Sequence, residues 1–302
     1  ARELASMRAR FPEDFASPAA PYAPAARARG IPNRRGTYTD EWGCAWDVSQ
    51  DGVVGEVKHP PLADWAALDS LVAPREMLQG DWAAVDAGRA RTDRYVLAGT
   101  TVRPFERMQF LRGTENIFAD MGWGDQRFLK LRALVHEFFV EEMTLWAQRD
   151  VDGISFMDDW GTQVSLLISP AMWREYFKPL YADYTRIIRA AGKHVFFHSD
   201  GNIQAIIPDL VEIGVHALNS QLFCMDIEEI ALKHKGRITF WGEIDRQKVL
   251  PFGTPAEVRG AVRRVRAALD DGRGGVVAQC EWGIHDPAEN IAAVFEAWDT
   301  PL

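Results

Sequence analysis

The stretch "KHVFFHSDGNIQAIIPDLVEIGVHALN", residues 193–219, determines the fold class of this sequence. It opens with a run of apolar, β-forming residues over 193–201 that ends in glycine. A helix-length segment follows over 202–214, and a second β-rich run begins at residue 215. A strand, a helix and a strand in this order predict a parallel βαβ unit.

The same alternation continues on both sides of this stretch, with β-rich runs separated by helix-length segments. The runs span residues 94–101, 151–161, 193–201, 215–221, 237–245 and 275–283. This pattern predicts an α/β fold with a parallel sheet, and the number of runs favours a (β/α)₈ barrel of the TIM type over an open doubly wound sheet. No Gly-x-Gly-x-x-Gly follows any run, which removes the main support for a dinucleotide-binding open sheet.

The N-terminal part of the chain has a different character. Residues 1–40 are rich in Ala, Arg and Pro and predict an extended arm, while residues 41–302 are expected to form a single barrel domain. Around the turn signal "QDG", the stretch 36–62 alternates aromatic or β-branched residues with polar ones. It predicts a hairpin that decorates the rim of the barrel.

Composition restricts the class of partner. The formal net charge of −9 argues against a broad contact surface for nucleic acid or for an anionic membrane. No apolar stretch approaches the roughly 18 to 20 residues of a spanning helix. The three cysteines are widely separated and odd in number, so they do not form the disulfide framework of a secreted domain. We therefore expect a cytoplasmic protein with reduced thiols that acts on a small molecule.

Chemically versatile side chains follow five consecutive β-rich runs, at the rim where barrels bind substrate. They are Asp158, Asp159, His198, Asp200, Asn219, Glu243, Asp245, Cys280 and Glu281. A purely structural strand end usually turns with Gly, Asn or Ser. Five runs that all end in acid/base or metal-ligating residues exceed what composition alone predicts.

One hypothesis for these residues is a metal site. His198 and Asp200 lie two positions apart, so they point the same way from an extended strand, and Cys280 comes from a different strand. Imidazole, carboxylate and thiolate together suit zinc, and three protein ligands with one open position are typical of a catalytic zinc. Glu243 would be a fourth ligand or a general acid/base. The alternative is a hydrogen-bonded His198 at the rim and Cys280 as a small core residue.

The remaining candidates concern catalysis and substrate binding. Asp158 and Asp159 are adjacent and point to opposite faces of a strand, so one of them is expected at the site, and we favour Asp159. The other carboxylate would cap a helix or hold a loop amide. Asn219, Trp282 and His285 are candidate substrate contacts, and the tryptophans near the strand ends suit either core packing or an aromatic-lined pocket.

Four segments together resemble the uroporphyrinogen decarboxylase superfamily, which also contains zinc-dependent corrinoid methyltransferases. They read "FMDDWGTQ…LISPAMWREYFKPLY", "HVFFHSDGNIQAIIPDLVEIGVHALN", "ITFWGEIDRQKVLPFGTPAEV" and "CEWGIHDPAENI". The resemblance runs from about residue 150 to the end, and more loosely from "TYTDEWGCAW". It implies a (β/α)₈ barrel whose site lies in the cleft at the strand ends.

The resembled methyltransferases bind zinc with a His-x-Cys-Gly motif and a later Cys upstream of Pro-x-Glu-Asn. Here the first motif reads His198-Ser199-Asp200-Gly201, and Cys280 precedes Pro287-Ala288-Glu289-Asn290. Two ligands therefore carry over, and Asp200 replaces the middle Cys. A carboxylate in place of a thiolate gives a harder site that can favour a different divalent metal.

The resemblance also concerns the N-terminal residues. The arginines of the arm (Arg27, Arg29, Arg34 and Arg35) do not reproduce the arginine-rich segment with which the true decarboxylases hold a tetrapyrrole. By analogy with substrate-contacting residues of the family, Asp40, Glu41 and Trp42 are expected to line the cleft.

Together, the residues and the resemblance imply metal-dependent methyl transfer or demethylation on a small molecule. Zinc or a similar divalent metal is the implied cofactor, and a thiol is the typical acceptor. The chain has no corrinoid-binding Asp-x-His-x-x-Gly motif, so any corrinoid would arrive on a partner protein. The superfamily's frequent dimers suggest a homodimer. The alternatives are a metal-free decarboxylase or lyase and, third, a non-catalytic ligand-binding barrel.

Overall fold

The computed structural model describes residues 2–283 and 285–301, except for the side chains of residues 2–5. The chain forms two compact units. We call residues 1–16, 94–97 and 152–302 the sheet unit, and residues 17–93 and 98–151 the inserted unit. Among the described helices, none is long and apolar enough to cross a membrane.

The secondary structure elements are numbered in chain order. The strands are β1 (Phe15–Ala16), β2 (Gly36–Thr39), β3 (Ala45–Val48), β4 (Glu56–His59), β5 (Tyr95–Gly99), β6 (Gly153–Met157), β7 (His194–Ser199), β8 (Ala217–Ser220), β9 (Thr239–Gly242) and β10 (Val276–Ala278). The α-helices are α1 (Arg2–Arg10), α2 (Ala83–Arg89), α3 (Pro104–Arg112), α4 (Thr114–Trp123), α5 (Gln126–Ala147), α6 (Pro170–Tyr176), α7 (Lys178–Ala190), α8 (Ile207–Ile213), α9 (Ile227–His234), α10 (Val249–Phe252), α11 (Pro255–Leu269) and α12 (Ala288–Asp299).

The main sheet has seven strands in the order β1-β5-β6-β7-β8-β9-β10. Strands β6 to β10 pair in parallel with their neighbours, and β1 pairs in parallel with β5. Each of the six β-rich runs contains one of these strands. The seventh strand, β1, comes from the segment that was expected to be an extended arm. The predicted domain boundary at residue 40 stays a prediction.

The sheet is strongly curled. The ring of Phe15 on β1 lies 5.6 Å from that of Trp241 on β9 and 6.0 Å from that of Phe196 on β7. Neighbouring strands are about 4.8 Å apart, so β1 and β9, five positions apart in the order, would be separated by about 24 Å in a flat sheet. Their contact therefore requires the sheet to curl around an apolar interior that also holds Leu97 and Ala217.

Local signals in the sequence explain where the helices of the sheet unit begin and end. Thr254 and Glu257 form a capping box at the start of α11, as the "TPAE" pattern predicts. Ser169 caps α6 by accepting a hydrogen bond from the amide of Met172, and a proline follows at the first helical position. Helix α8 ends at Gly214, whose positive φ of 92° suits glycine. These signals determine where the helices between the strands begin or end.

The inserted unit contains an antiparallel sheet of β2, β3 and β4. The sequence predicted a two-strand hairpin here, and the structure has one more strand, because the chain also reverses between β2 and β3. The "QDG" turn lies in the connection from β3 to β4. The long helix α5 packs through Phe138 against the buried Trp42, with ring centroids 5.1 Å apart.

Candidate functional site

Strand register places the predicted site residues on one face of the sheet. Backbone pairing aligns Met157, His198, Asn219, Trp241 and Val277 in a single row across β6 to β10. Trp241 packs against Phe15, so this row faces the interior of the curled sheet. Side chains alternate between the two faces of a sheet, so the residue two positions further along each strand points to the same face as the row. The residues at those positions are Asp159, Asp200, Gln221, Glu243 and Gln279.

Two glycines bring the ends of β6 and β7 together. The amide of Gly161 donates to the carbonyl of Asp200 at 3.0 Å, and the amide of Asn202 donates to the carbonyl of Thr162 at 2.7 Å. A Cβ atom on Gly161 or on Gly201 would overlap the backbone of the facing loop, and Gly201 also has a φ of +78°. Only glycine at both positions permits this close approach, which sets Asp159 and Asp200 side by side.

Asp159, His198 and Asp200 form the centre of the site, and we call these three residues the triad. Nε2 of His198 lies 3.6 Å from Oδ1 of Asp159 and 3.6 Å from Oδ1 of Asp200. One ligand atom from each side chain lies within 4.8 Å of the others. Among the described residues, this is the one such group of His, Cys, Asp or Glu side chains.

A chain of hydrogen bonds orients the imidazole. Asn219 donates through Nδ2 to Oε1 of Gln279, so its Oδ1 is the acceptor that faces Nδ1 of His198. Nδ1 therefore donates to Oδ1 of Asn219, and Nε2 faces the two carboxylates. Metal-binding histidines are held in this way, with one ring nitrogen donating to an outer partner and the other free for the ion.

The spacing within the triad fits a shared cation. A separation of 3.6 Å between nitrogen and oxygen is too long for a hydrogen bond. Two ligands bound to one ion at about 2.1 Å, at a tetrahedral angle, would be about 3.4 Å apart. Two carboxylates with a neutral imidazole form a donor set that suits zinc, iron(II) or manganese(II). The residues present therefore fit a divalent metal.

A second group of charged side chains lies beside the triad, at the ends of β9 and β10. The guanidinium of Arg246 contacts Oδ2 of Asp200, Oε1 of Glu281 and, at 3.1 Å, Oε1 of Glu243. Glu243 is 4% exposed, and burial raises the pKa of its carboxyl group to about 8, despite the opposing charge of Arg246. A buried carboxyl group of this kind is largely protonated at neutral pH and can donate a proton.

Cys280 and Glu243 are not part of the group of ligand atoms that lie within 4.8 Å of one another, and their predicted role as metal ligands stays a prediction. Gln279, the residue before Cys280, contacts the side chain of Asn219, which is the partner of His198. Cys280 is buried, and burial, together with the nearby Asp286, raises the pKa of its thiol to about 12. Asp159 takes the third place in the cluster.

Asp158 points away from the triad. It is fully buried and accepts a hydrogen bond of 2.6 Å from the hydroxyl of Tyr181 on α7. Nε1 of Trp160 donates to the same hydroxyl at 2.9 Å. Burial, followed by the charge of Asp158, raises the pKa of Tyr181 well above its usual value. Of the adjacent pair, Asp158 thus attaches a helix to the sheet, and Asp159 faces the site.

The candidate substrate contacts from the N-terminal region lie in the inserted unit. Asp40 is buried, accepts hydrogen bonds from the amides of Trp42 and Cys44, and pairs with Arg107 at 2.6 Å. Arg107 also pairs with Glu41 at 2.8 Å. These contacts organise the turn between β2 and β3. A contact of Asp40, Glu41 or Trp42 with substrate stays a prediction.

The candidates after β10 are more exposed. Trp282 is 36% exposed and packs edge-on against Phe295, with ring centroids 5.8 Å apart. His285 lies exposed in the following turn. Their predicted contacts with substrate stay predictions.

A polar cavity of about 60 Å³ adjoins the site. It shares Glu243 and Arg246 with the charged group described above and is otherwise lined by Gln163, Gln221, Phe223, Cys224, Asp245, Gln247 and Lys248.

The sequence analysis did not predict Gln221 and Gln279 as site residues. Each lies two positions after an inward-facing strand residue, and this spacing could have identified them. Arg246 follows β9 in a turn, where no periodic pattern identifies it.

Comparison with known proteins agrees with this architecture. The family model described as uroporphyrinogen decarboxylase (URO-D) matches residues 37–300. A solved structure, a methyltransferase from Methanosarcina mazei, superposes with a TM-score of 0.68 at 17% identity, covering 85% of this chain and 75% of that chain. At this identity the likeness shows the fold alone. No curated protein sequence matches the chain.

A second solved structure is an endo-β-1,4-xylanase from Gloeophyllum trabeum. It superposes with a TM-score of 0.44 at 11% identity, covering 72% of this chain and 80% of that chain. This likeness carries no argument about function.

Proposed function

The chain belongs to the uroporphyrinogen decarboxylase family, and from this premise we propose that it is an enzyme that uses a divalent metal to transfer or remove a methyl group of a small molecule. The observation that carries the proposal is the triad, in which one ligand atom each of Asp159, His198 and Asp200 lies within 4.8 Å of the others. The methyltransferase from Methanosarcina mazei shares the fold and makes methyl transfer a reasonable reaction class for this family member.

In this proposal, Nε2 of His198 and one oxygen each of Asp159 and Asp200 hold zinc or a similar ion. When bound, the ion supplies a Lewis acid that favours the anionic form of a thiol or oxygen near neutral pH. Three protein ligands leave a position for the reacting molecule. Asn219 keeps the imidazole in the orientation that metal binding requires.

Glu243 is the proposed proton donor and acceptor. In methyl transfer to a thiol, the S–H bond breaks, its proton passes to a base and an S–CH₃ bond forms, while the atom that releases the methyl group keeps the electron pair of the broken bond. An oxygen or nitrogen that releases the methyl group then takes up a proton, whereas the cobalt of a methylcorrinoid leaves as Co(I) and takes up none. The reaction needs no oxidant in either case. A carboxyl group with a pKa of about 8 can make both transfers near neutral pH. The adjoining cavity, lined by amide side chains and by Lys248, is the proposed place for the polar part of the substrate.

Several finer features belong to the same proposal. A closed eight-strand barrel would complete the curled seven-strand sheet. A corrinoid, where one is used, would be presented by a partner protein, and the active form would be a homodimer. Reduced thiols at Cys44, Cys224 and Cys280 suit a cytoplasmic enzyme.

One observation favours a second candidate, a metal-free decarboxylase or lyase. The guanidinium of Arg246 already neutralises Asp200, so the site can be electrostatically balanced without an ion. In that case, Asp159 and Asp200 would stabilise a cationic intermediate.

Metal content and methyl transfer test the proposal together. Protein purified without added metal is incubated with zinc, desalted and analysed by plasma mass spectrometry. We expect about one ion per chain, and loss of that ion in His198→Ala and Asp159→Asn. Asp245→Asn is the matched control and should keep the ion, because Asp245 instead holds the turn after β9 by accepting from the amides of Gln247 and Lys248.

The loaded protein is then mixed with methylcobalamin and a small thiol, and the loss of methylcobalamin absorbance is followed. We expect demethylation by the wild-type protein and none by His198→Ala or Asp159→Asn. Absence of metal from the wild-type protein, or equal metal in all variants, would exclude the proposed site and favour the lyase.

A further inference from the structure

Arg246 occupies an unusual position for a cation beside a metal site. It follows β9, its side chain is 21% exposed, and its guanidinium joins the end of β7 to the ends of β9 and β10 through Asp200, Glu243 and Glu281. All three nitrogens of the guanidinium face a carboxylate. A guanidinium paired in this way is a fixed structural cation rather than a free anchor for an anionic substrate.

The two oxygens of Asp200 have separate partners. Oδ1 faces Nε2 of His198 at 3.6 Å, whereas Oδ2 is held by Arg246. The backbone amide of Asp200 donates to Asp159 at 2.9 Å, which restricts the rotation of the whole residue. The carboxylate is therefore presented to the triad by one oxygen.

We propose that Arg246 is a positioning residue that makes Asp200 a ligand through Oδ1 alone and so keeps a coordination position open for the reacting molecule. This inference rests on the proposed metal site. Without Arg246, the carboxylate could rotate and use both oxygens, which would fill the position that catalysis requires. The same guanidinium would hold Glu243 at the border between the triad and the cavity.

The coordination number of the ion, rather than its affinity, makes the inference testable. Removal of a positive charge close to a divalent ion would tighten binding. A second bound oxygen of Asp200 would also tighten it, so a higher affinity in Arg246→Gln does not separate the two causes. An added oxygen ligand, in contrast, can result only from the change in orientation of Asp200.

The experiment is titration of the metal-free protein with Zn²⁺ and Co²⁺, by calorimetry and by visible absorption. Arg246→Gln should bind Zn²⁺ at least as tightly as the wild type. Its Co²⁺ absorption should lose intensity, since more oxygen ligands around Co²⁺ give weaker bands. Arg246→Lys keeps a donor for Oδ2 and should retain most of the affinity and the wild-type spectrum. Glu281→Gln, which leaves the contact between Arg246 and Asp200 intact, is the matched control and should resemble the wild type.

The possible outcomes separate the two proposals. Wild-type protein that binds neither ion would overturn the metal site and this inference with it. Wild-type protein that binds, together with Arg246→Gln that shows the same Co²⁺ spectrum or binds more weakly than the wild type, would overturn this inference alone. Because Arg246→Lys preserves the charge and a donor, the inference also fails if the lysine variant matches the glutamine variant. Thermal melting of each metal-free variant identifies any general loss of folding.

Discussion

The ends of β6, β7 and β8 and the ends of β9 and β10 present similar side chains but assemble them differently. We call the first region, with Asp159, His198, Asp200 and Asn219, the triad edge, and the second, with Glu243, Arg246, Cys280 and Glu281, the arginine edge. At the triad edge, backbone pairing and a close glycine contact set the geometry. At the arginine edge, one guanidinium collects carboxylates from separate loops.

This difference has a chemical consequence. The triad edge brings one ligand atom from each of three side chains within 4.8 Å of the others, a grouping that could hold a cation. The arginine edge supplies its own cation and leaves a buried carboxyl group available for proton transfer. Similar residue types are therefore arranged differently because different interactions hold them. Backbone hydrogen bonds of the sheet position the residues of the triad edge, whereas ion pairs between side chains position those of the arginine edge.

The largest expected effect is at the glycine contact of the triad edge. Gly201→Ala should lower the free energy of unfolding by about 3 kcal/mol or more, because it adds a backbone overlap to the strain of a positive φ. Gly192→Ala is the matched control, since Gly192 has a φ of +72° but no atom near the added Cβ. It should cost only about 1 to 2 kcal/mol. Equal losses in a urea titration would show that the close approach is unimportant.

The arginine edge should make stability depend on pH through Glu243. Its pKa in the folded protein is about 8, above the ordinary value of 4.5, so folding favours the protonated form. The stability that this preference contributes is complete below pH 4.5 and is lost as the pH rises to 8. Relative to Glu243→Gln, the metal-free wild type should lose on the order of 2 to 4 kcal/mol over that interval. Parallel pH profiles of the two proteins would contradict a buried, protonated Glu243.

The adjacent residues Asp158 and Asp159 should differ in their effects: the contact of Asp158 should contribute to stability, and Asp159 should contribute to metal binding. Tyr181→Phe removes a donor from the buried Asp158 and should lower the free energy of unfolding by about 1 to 3 kcal/mol without changing metal content. Asp159→Asn should lose the metal and change stability by less than about 0.5 kcal/mol, because its side chain is partly exposed. Thermal melts and metal analysis of both variants measure this contrast. A loss of metal in Tyr181→Phe would assign Asp158 to the site.

The smallest expected effect is a change in Zn²⁺ affinity, which we compare between Asn219 at the triad edge and Cys280 at the arginine edge. Asn219→Ala should weaken Zn²⁺ binding by about 10-fold, because the imidazole of His198 loses its orienting partner. Cys280→Ser should leave the affinity within about twofold, since its thiol lies outside the triad. Competition with a chromophoric chelator measures both values. A strong loss in Cys280→Ser would restore the thiol to the ligand set.

Much of the fold and part of the site could be predicted from local patterns. Six strands, the helix starts and the shared face of His198 and Asp200 follow from side-chain alternation and capping, which depend on near neighbours in the chain. Strand β1 was not predicted because it has only two residues, too few to show an alternation of apolar and polar side chains. Arg246 escaped because its role depends on carboxylates from distant loops.

The sequence by itself determined a parallel α/β sheet, the shared face of His198 and Asp200, and membership of the uroporphyrinogen decarboxylase family. Only the tertiary structure decided that Asp159 completes the triad, that Cys280 lies outside it and that Arg246 holds Asp200. The physical reason is the range of the forces involved. Alternation along a strand is set by covalent geometry, whereas distances between strand ends depend on sheet curl, loop path and the pairing of charges across them.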